Sequence, residues 1–324
     1  MKHVQAVVLR LAALLAALCL AGCGAAAPAG PVSGANAPAQ EYVTFTDALG
    51  RQVSAPRSPQ RVAALIGSFA DIWCLAGGAE QLVATANDAW TSFDLPLRAD
   101  TVNLGSSKEI SLELLVASEP DLILASSNTG ADVALLEPLT EMGLTVAYFQ
   151  VSTFEEYLDM LDLCTQITGC TENYEAYGAA VAEQVKKARA RADGSRPRVL
   201  YIRASSTSYR VKNSENSVLG EMLQALDCEN VADSDTSLLE ALSMEAILLA
   251  DPDYIFVVYQ AADPTDAMAL LESTLLSDPA WQTLTAVQSG RYHVLDQSLY
   301  NLKPNARWGE AYERLADILY PADK

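Results

Sequence analysis

Short apolar runs alternate with helix-period stretches along most of the chain. From Arg61 the order is RVAALI, SFADIWCLAGG, LVATAN, SLELLVASEP and DLILAS. The compact apolar runs read as strands and the longer, three-to-four-periodic stretches as helices. Strand and helix in turn over this length predict a parallel α/β sheet. Ser68 and Asp71 have the spacing of a capping pair, and Gly77-Gly78 supply the left-handed exit that a helix C-terminus favours. A strand thus feeds a turn at Gly67 that opens a helix, and such strand-to-helix edges are where open α/β sheets take ligands.

The pattern repeats. Ser111-Leu112-Glu113 leads through a helix to Pro120-Asp121 and the strand LILAS; Ser243-Met244-Glu245 leads through another to Pro252-Asp253 and YIFVV. RVAALI at 61–66 has a counterpart in RVLYIR at 198–203, and the two offsets, 137 and 132 residues, nearly agree. Two matches in the same order imply two similar lobes. Between them, residues 172–193 are rich in Ala, Glu, Lys and Arg without a strand signal, and Gly194 and Pro197 end the stretch. The expected fold is α/β: two doubly wound lobes, 41–171 and 196–324, joined by a single long backbone helix within 172–195. A helical strut of this kind restricts relative motion to a small bend.

The N-terminus has a different character. Lys2 and Arg10 precede a twelve-residue apolar run from Leu11 to Gly22, too short to span a bilayer and the length of a signal-peptide core. It ends in Leu20-Ala21-Gly22-Cys23, which looks like a bacterial lipobox. Residues 1–22 are expected to be cleaved, leaving Cys23 as the lipid-modified mature terminus, anchored extracytoplasmically to the bacterial cell membrane. Residues 24–40 have no charge and no periodicity, only repeated Gly, Pro and Ala, which reads as a flexible tether reaching about 20–25 Å.

Composition narrows the chemistry. Half of the 324 residues are hydrophobic, enough for a substantial core. Against 41 acids stand 21 Lys and Arg, and a charge of −20 argues against a nucleic-acid surface. Only His3 and His293 occur, too few for a His-rich metal cage or for most imidazole catalysis. There is no G-x-S-x-G, P-loop or G-x-G-x-x-G. No cofactor is expected, and a metal would arrive inside a ligand. Of the mature thiols, Cys74 reads as a buried residue on an apolar helix side, and the spacing of Cys164 and Cys170 admits a bridge across a helix end.

Taken together, FTDALGRQVSAPRSPQRVAALIGSFADIWCLAG, SLELLVASEPDLIL, SMEAILLADPDYIFVV and KPNARWGEAYERLADILYP resemble the periplasmic-binding-protein family that serves ABC importers of ferric siderophores, haem and cobalamin. The resemblance covers residues 42–324 and implies the helical-backbone form of that fold, a binding protein rather than an enzyme, monomeric, working with a permease dimer and its ATPase. Glu113 and Glu245 lie in first helical turns after serine caps, where a carboxylate is favoured and exposed. The resemblance implies that one such glutamate on each lobe docks against arginines of the permease.

The ligand site is then expected in the cleft, on loops at strand C-termini. The N-lobe candidates are Ser68, Phe69, Asp88, Trp90, Ser107, Lys108, Ser127 and Asn128. Those of the C-lobe are Arg203, Tyr209, Arg210, Lys212, Tyr259, Tyr300, Lys303 and Arg307. Basic groups clustered near a cleft in an acidic protein suit an anionic ligand, and the aromatic residues suit ring stacking. A ferric siderophore is the first expectation. Haem, which needs an axial ligand, and cobalamin are the alternatives, and an exported carboxylate-based hydrolase is the reading from another class.

Overall fold

The computed structural model describes residues 40–321 except 236, 241, 242 and 262. The expected signal segment 1–22, Cys23 and the tether up to Ala39 lie outside the described residues.

A hairpin comes first, β1 (Tyr42–Thr46) paired antiparallel with β2 (Gln52–Pro56). Asp47 holds its turn, accepting from the backbone N–H of Leu49 and Arg51 at 3.0 Å each. The N-lobe sheet contains β3 (Val62–Ala64), β4 (Leu82–Thr85), β5 (Val102–Asn103), β6 (Leu122–Ser126) and β7 (Val146–Phe149). All are parallel, in the order β5-β4-β3-β6-β7. Between strands run α1 (Gly67–Leu75), α2 (Asp88–Thr91) and α3 (Leu112–Ala117), and α4 (Phe154–Thr168) follows β7. Alternate residues of one strand enter different cores: Val62 and Ala64 one, Ala63 and Leu65 another. Period-two burial on both faces is what a helix-covered parallel sheet requires.

The C-lobe repeats this plan with β8 (Arg198–Ala204), β9 (Tyr209–Lys212), α6 (Val218–Ala225), β10 (Glu229–Asn230), α7 (Met244–Ala250), β11 (Tyr254–Tyr259), α8 (Thr265–Leu271) and β12 (Tyr292–Leu295). Its order is β10-β8-β11-β12, with β9 antiparallel to β8. In each sheet the winding direction reverses beside the first long-range strand, between β3 and β6 and between β8 and β11. The carboxyl ends of those four strands are therefore the topological ligand positions.

The repeated aspartates have a common task. Asp121 accepts from the backbone N–H of Gln60 and Arg61 at 2.8 and 3.0 Å, and Asp253 from that of Arg198 at 2.8 Å. In both lobes the aspartate N–H returns a bond to the arginine carbonyl, at 2.7 and 2.8 Å. The repeat thus encodes a clamp that starts the central strand beside its neighbour. Glu119 and Asp251, each before its proline, share a left-handed backbone with φ of 44° and 35°.

Helical residues between the lobes run from Asn173 to Arg189, the last ten as α5 (Ala180–Arg189). Sequence periodicity did not reveal the π turn at Glu175–Ala179, whose Tyr177 carbonyl accepts from the buried Tyr157 hydroxyl at 2.7 Å. The C-terminal α9 (Trp308–Leu319) lies along α5. Gly309 permits that approach: a Cβ there would collide with the Gln184 side chain. A single core, including Phe154, Tyr201 and Trp308, runs through both lobes and this helix pair.

Two local expectations are corrected. Ser68 and Asp71 do not cap α1, which opens at Ile66 without a side-chain cap; Ser68 is buried and Asp71 accepts from Asn305 instead. Cys164 and Cys170 are not bridged: all four described cysteines are free thiols, with Cys164 in the core and Cys170 against Gly77. Burial pushes the Cys74, Cys164 and Cys228 thiols up to about 12.

Candidate functional site: the junction between the lobes

On the N-lobe side the strand ends meet a helix start. The Gly67 N–H donates to Asp88 Oδ2 at 3.0 Å, and a Cβ at Gly67 would stand only 2.7 Å from Ala89 N, so the position needs glycine. Asp132, fully buried in the short helix Gly130–Ala134, accepts from the Ser126 N–H at 2.8 Å. The second oxygen of each carboxylate is buried without a hydrogen bond. Lys303, from the C-terminal part of the chain, stands over the Phe69 ring at 5.5 Å. Burial pushes its pKa down to about 8 against the opposing pull of Asp88, Glu156 and Asp132. Burial likewise pushes Asp132 up to about 7 and raises Asp88. Two residues on, Asn305 Nδ2 donates to the Ser68 carbonyl at 2.9 Å and to Asp71 Oδ2 at 2.8 Å.

The C-lobe side is basic. Antiparallel pairing sets Arg203 opposite Arg210 and Tyr201 opposite Lys212. Directly opposed residues, and residues two apart on a strand, share a face. Arg203, Arg210 and Lys212 therefore sit together, while Tyr209 and Val211 turn to the other face and its core. Among the described residues, none of the three side chains has an ion pair or hydrogen bond. The Lys212 pKa is lowered by burial and by the two arginines. Beneath them the Tyr201 hydroxyl is buried and unpartnered.

At the carboxyl ends of β11 and β12 a pocket of about 550 Å³ opens between the lobes, with Thr91 and Ser92 on the N-lobe wall and Tyr259, Met268, Val294 and Leu302 on the C-lobe wall. A cavity of about 270 Å³ shares Ser92 and Ser298 with it and reaches Lys303 and Arg307. Asp88 and Ser107 line a third depression of about 300 Å³.

Several expected ligand residues are placed elsewhere. Phe69 is buried against Phe149, and Tyr300 is buried with its hydroxyl donating to the Ala311 carbonyl at 3.0 Å; both are core residues. The Ser68 side chain is buried too. Arg307 is paired with Glu310 at 2.7 Å, and Lys303 lies over Phe69 within the pull of the three carboxylates above. Ser127 donates to the Phe149 carbonyl at 3.2 Å and Asn128 to Ser152 Oγ at 3.1 Å. Trp90 and Lys108 are exposed.

Sequence reasoning missed Tyr201, Asp132 and Asn305, and the Met268–Val294 wall. Tyr201 and Asp132 look like core and helix positions in isolation, and only the fold brings them to strand ends.

Glu113 and Glu245 are exposed in the first turns of α3 and α7. The caps are as expected: Ser111 Oγ accepts from the Leu114 N–H at 3.3 Å, and Ser243 Oγ from the Ala246 N–H at 3.1 Å. Apolar side chains stand exposed beside them, Leu114 and Val116 on one helix, Leu248 and Leu249 on the other. Among the described residues no helix is long and apolar enough to cross a membrane.

Comparison with known proteins agrees with this architecture. The family model described as periplasmic binding protein matches residues 62–299. The uncharacterized ABC transporter substrate-binding lipoprotein YvrC of Bacillus subtilis (strain 168) is 23% identical over 321 residues, covering 96% of each chain. The Fe(3+)-citrate-binding protein YfmC of the same organism is 24% identical over 207 residues, 62% of this chain and 61% of that one. The crystal structure of the periplasmic vitamin B12 binding protein BtuF of Vibrio cholerae superposes with a TM-score of 0.66 at 20% identity, over 82% of this chain and 98% of that one.

Proposed function

The chain belongs to the periplasmic binding protein family, and on that premise we propose that it is the substrate-binding component of an ABC importer that captures an anionic ferric chelate, a ferric siderophore first of all, between its lobes. The chelate passes unaltered to a permease dimer docked through Glu113 and Glu245, and the protein works as a monomer held to the membrane by a lipid on Cys23.

One observation carries the choice of ligand: Arg203, Arg210 and Lys212 share one face at the β8 carboxyl edge, and among the described residues none of the three forms an ion pair. Like charges directly opposed on neighbouring strands destabilise a sheet. A bound polyanion removes that repulsion and gains charge-assisted hydrogen bonds. The name of the B. subtilis Fe(3+)-citrate-binding relative is in keeping with such a cargo. Fold alone does not choose it, since one architecture hosts many ligands.

Haem is the second reading. Of the residues with axial-ligand chemistry, Tyr300 has its hydroxyl engaged in the core, Tyr209 packs on the far face and His293 stacks against Tyr254 and Phe256 at 6.2 and 5.7 Å, which leaves Tyr259 and Met268 on the pocket wall as the residues an iron would use. Cobalamin offers little for three cations to bind.

Tryptophan-fluorescence titration against ferric siderophores, ferric citrate, haemin and cobalamin tests the reading. Arg203→Ala or Lys212→Ala is expected to weaken the anionic ferric chelates about tenfold to a hundredfold, the scale of a lost charged hydrogen bond. Unchanged affinity in both variants refutes the basic-edge assignment.

A further inference from the structure

Within the N-lobe lies a cavity of about 360 Å³ that shares no lining residue with the pockets between the lobes. It opens where the β1–β2 hairpin meets the end of β7 and the side of α4. The hairpin is fixed there, since the Ala48 N–H donates to the Tyr148 carbonyl at 2.8 Å and Arg51 Nη2 to the Val146 carbonyl at 2.9 Å. Such a volume lies in the lower part of the range of small-molecule sites.

The lining is of two kinds. Its apolar part is made by the Phe45 and Phe149 rings, stacked with centroids 6.2 Å apart, and is continued by Met160 and Leu163 of α4. Its polar part carries charge of one sign. Asp47 is already spent, because its oxygens accept from the Leu49, Arg51 and Tyr148 N–H groups and from the Arg51 guanidinium. Glu156 uses only Oε2, for the Ser152 and Thr153 N–H groups at 2.6 and 3.0 Å. Among the described residues, its Oε1 and both oxygens of Asp159 accept no hydrogen bond, and neither carboxylate forms an ion pair; Lys303 acts on Glu156 only from a distance. Three residues apart on one helix, the two carboxylates are neighbours and repel each other.

We propose that this cavity is a second binding site, for a small organic monocation with an aryl body, its ammonium between Glu156 and Asp159 and its ring against Phe45 and Phe149. The aromatic faces stack the ring and attract the charge, and the carboxylates accept charge-assisted hydrogen bonds. A bound cation also removes the repulsion along α4. The site is independent of the chelate reading and has the opposite preference: the basic edge of the C-lobe suits anions, whereas this cavity rejects them.

Methionine-methyl NMR of the purified protein, following the signal of Met160 in the cavity wall, tests the proposal with phenethylammonium as the probe. A saturable shift is expected, with binding at least about tenfold tighter than that of phenethyl alcohol, which has no charge, of phenylacetate, or of n-butylammonium, which has no ring. Glu156→Gln combined with Asp159→Asn should weaken phenethylammonium about tenfold. Glutamine keeps an acceptor for the Ser152 and Thr153 N–H groups, so the double variant keeps its helix start. Phe45→Leu, which retains apolar area and loses the ring, should cost about threefold. Equal binding of phenethyl alcohol, or an affinity that survives the double variant, overturns the cation assignment. Equal binding of n-butylammonium overturns the aryl part and points instead to a lysine side chain of a partner protein. No saturable shift with phenethylammonium overturns the site altogether, and each of these outcomes leaves the chelate reading untouched.

Discussion

In the N-lobe, the loops after β3, β4 and β6 bring together the buried carboxylates Asp88 and Asp132; in the C-lobe, the end of β8 carries Arg203, with Arg210 and Lys212 beside it. The same two lobes share the strand-starting aspartates and the serine-capped glutamate helices almost residue for residue. What was kept in both halves is scaffold and outer surface, while what differs lies at the cleft. The acidic half has a cation of its own nearby, since Lys303, from the C-terminal part of the chain, feels the pull of Asp88, Asp132 and Glu156. Among the described residues the basic half has no ion-pair partner, and that asymmetry is the reason to propose an external anion there.

Removing what the lobes share on their outer surface should give the largest effect. Glu113→Ala with Glu245→Ala is expected to abolish uptake of radiolabelled ferric chelate in cells or vesicles carrying the permease, with the affinity of the purified protein unchanged. Normal uptake would remove the docking role and leave the two carboxylates as first-turn helix stabilisers. Next in size is the pair of clamps. Asp121→Ala unties two backbone N–H groups and Asp253→Ala one. Urea unfolding should show losses of about 2–4 and about 1–2 kcal/mol respectively, since each lost charged hydrogen bond is worth roughly 1.5–3 kcal/mol before water recovers part of it. Equal losses would mean that the second bond to Asp121 contributes nothing.

The smallest effect is a pH dependence confined to the acidic side. Asp132 has a folded pKa of about 7 against an unfolded value of 3.8. The folded state therefore holds a proton that the unfolded state has released, and stability attributable to this group is present below the unfolded value and falls as pH rises from about 4 to about 7. Asp132→Asn keeps an acceptor for the Ser126 N–H and should flatten the melting temperature across that window by a few degrees. Lys303→Met, by taking away a cation, should move the Asp132 midpoint upward. A profile identical to that of the unaltered protein in both variants would show that the carboxylate titrates normally.

Much of this molecule could be read before it was seen. The alternation of strand and helix, the duplication, the joining helix and the capped glutamates all depend on local periodicity and on spacings within about ten residues, which a sequence displays directly. The proposed ligand edge could be read because one hairpin carries it: Arg203, Arg210 and Lys212 lie within ten residues, and strand pairing alone sets them side by side. Lys303 looked like another member of the same basic group because the acids whose pull it feels, Asp88, Asp132 and Glu156, are more than a hundred residues distant in sequence. Phe69 and Tyr300 were misplaced for a related reason: a residue one step past a loop can turn inward, and the choice depends on a helix packing angle that no pattern records. Asn305 gave no signal at all, being a single amide in a proline-containing turn.

That amide has a mechanical consequence. The lobes are attached along the α5–α9 helix pair and again where Asn305 grips the start of α1. A body pinned at two separated points keeps only one axis about which to turn. Empty and loaded forms should thus differ in outline by little, and a membrane receptor that tells them apart must sense a slight change in the spacing of its two footholds rather than a wide jaw swinging shut.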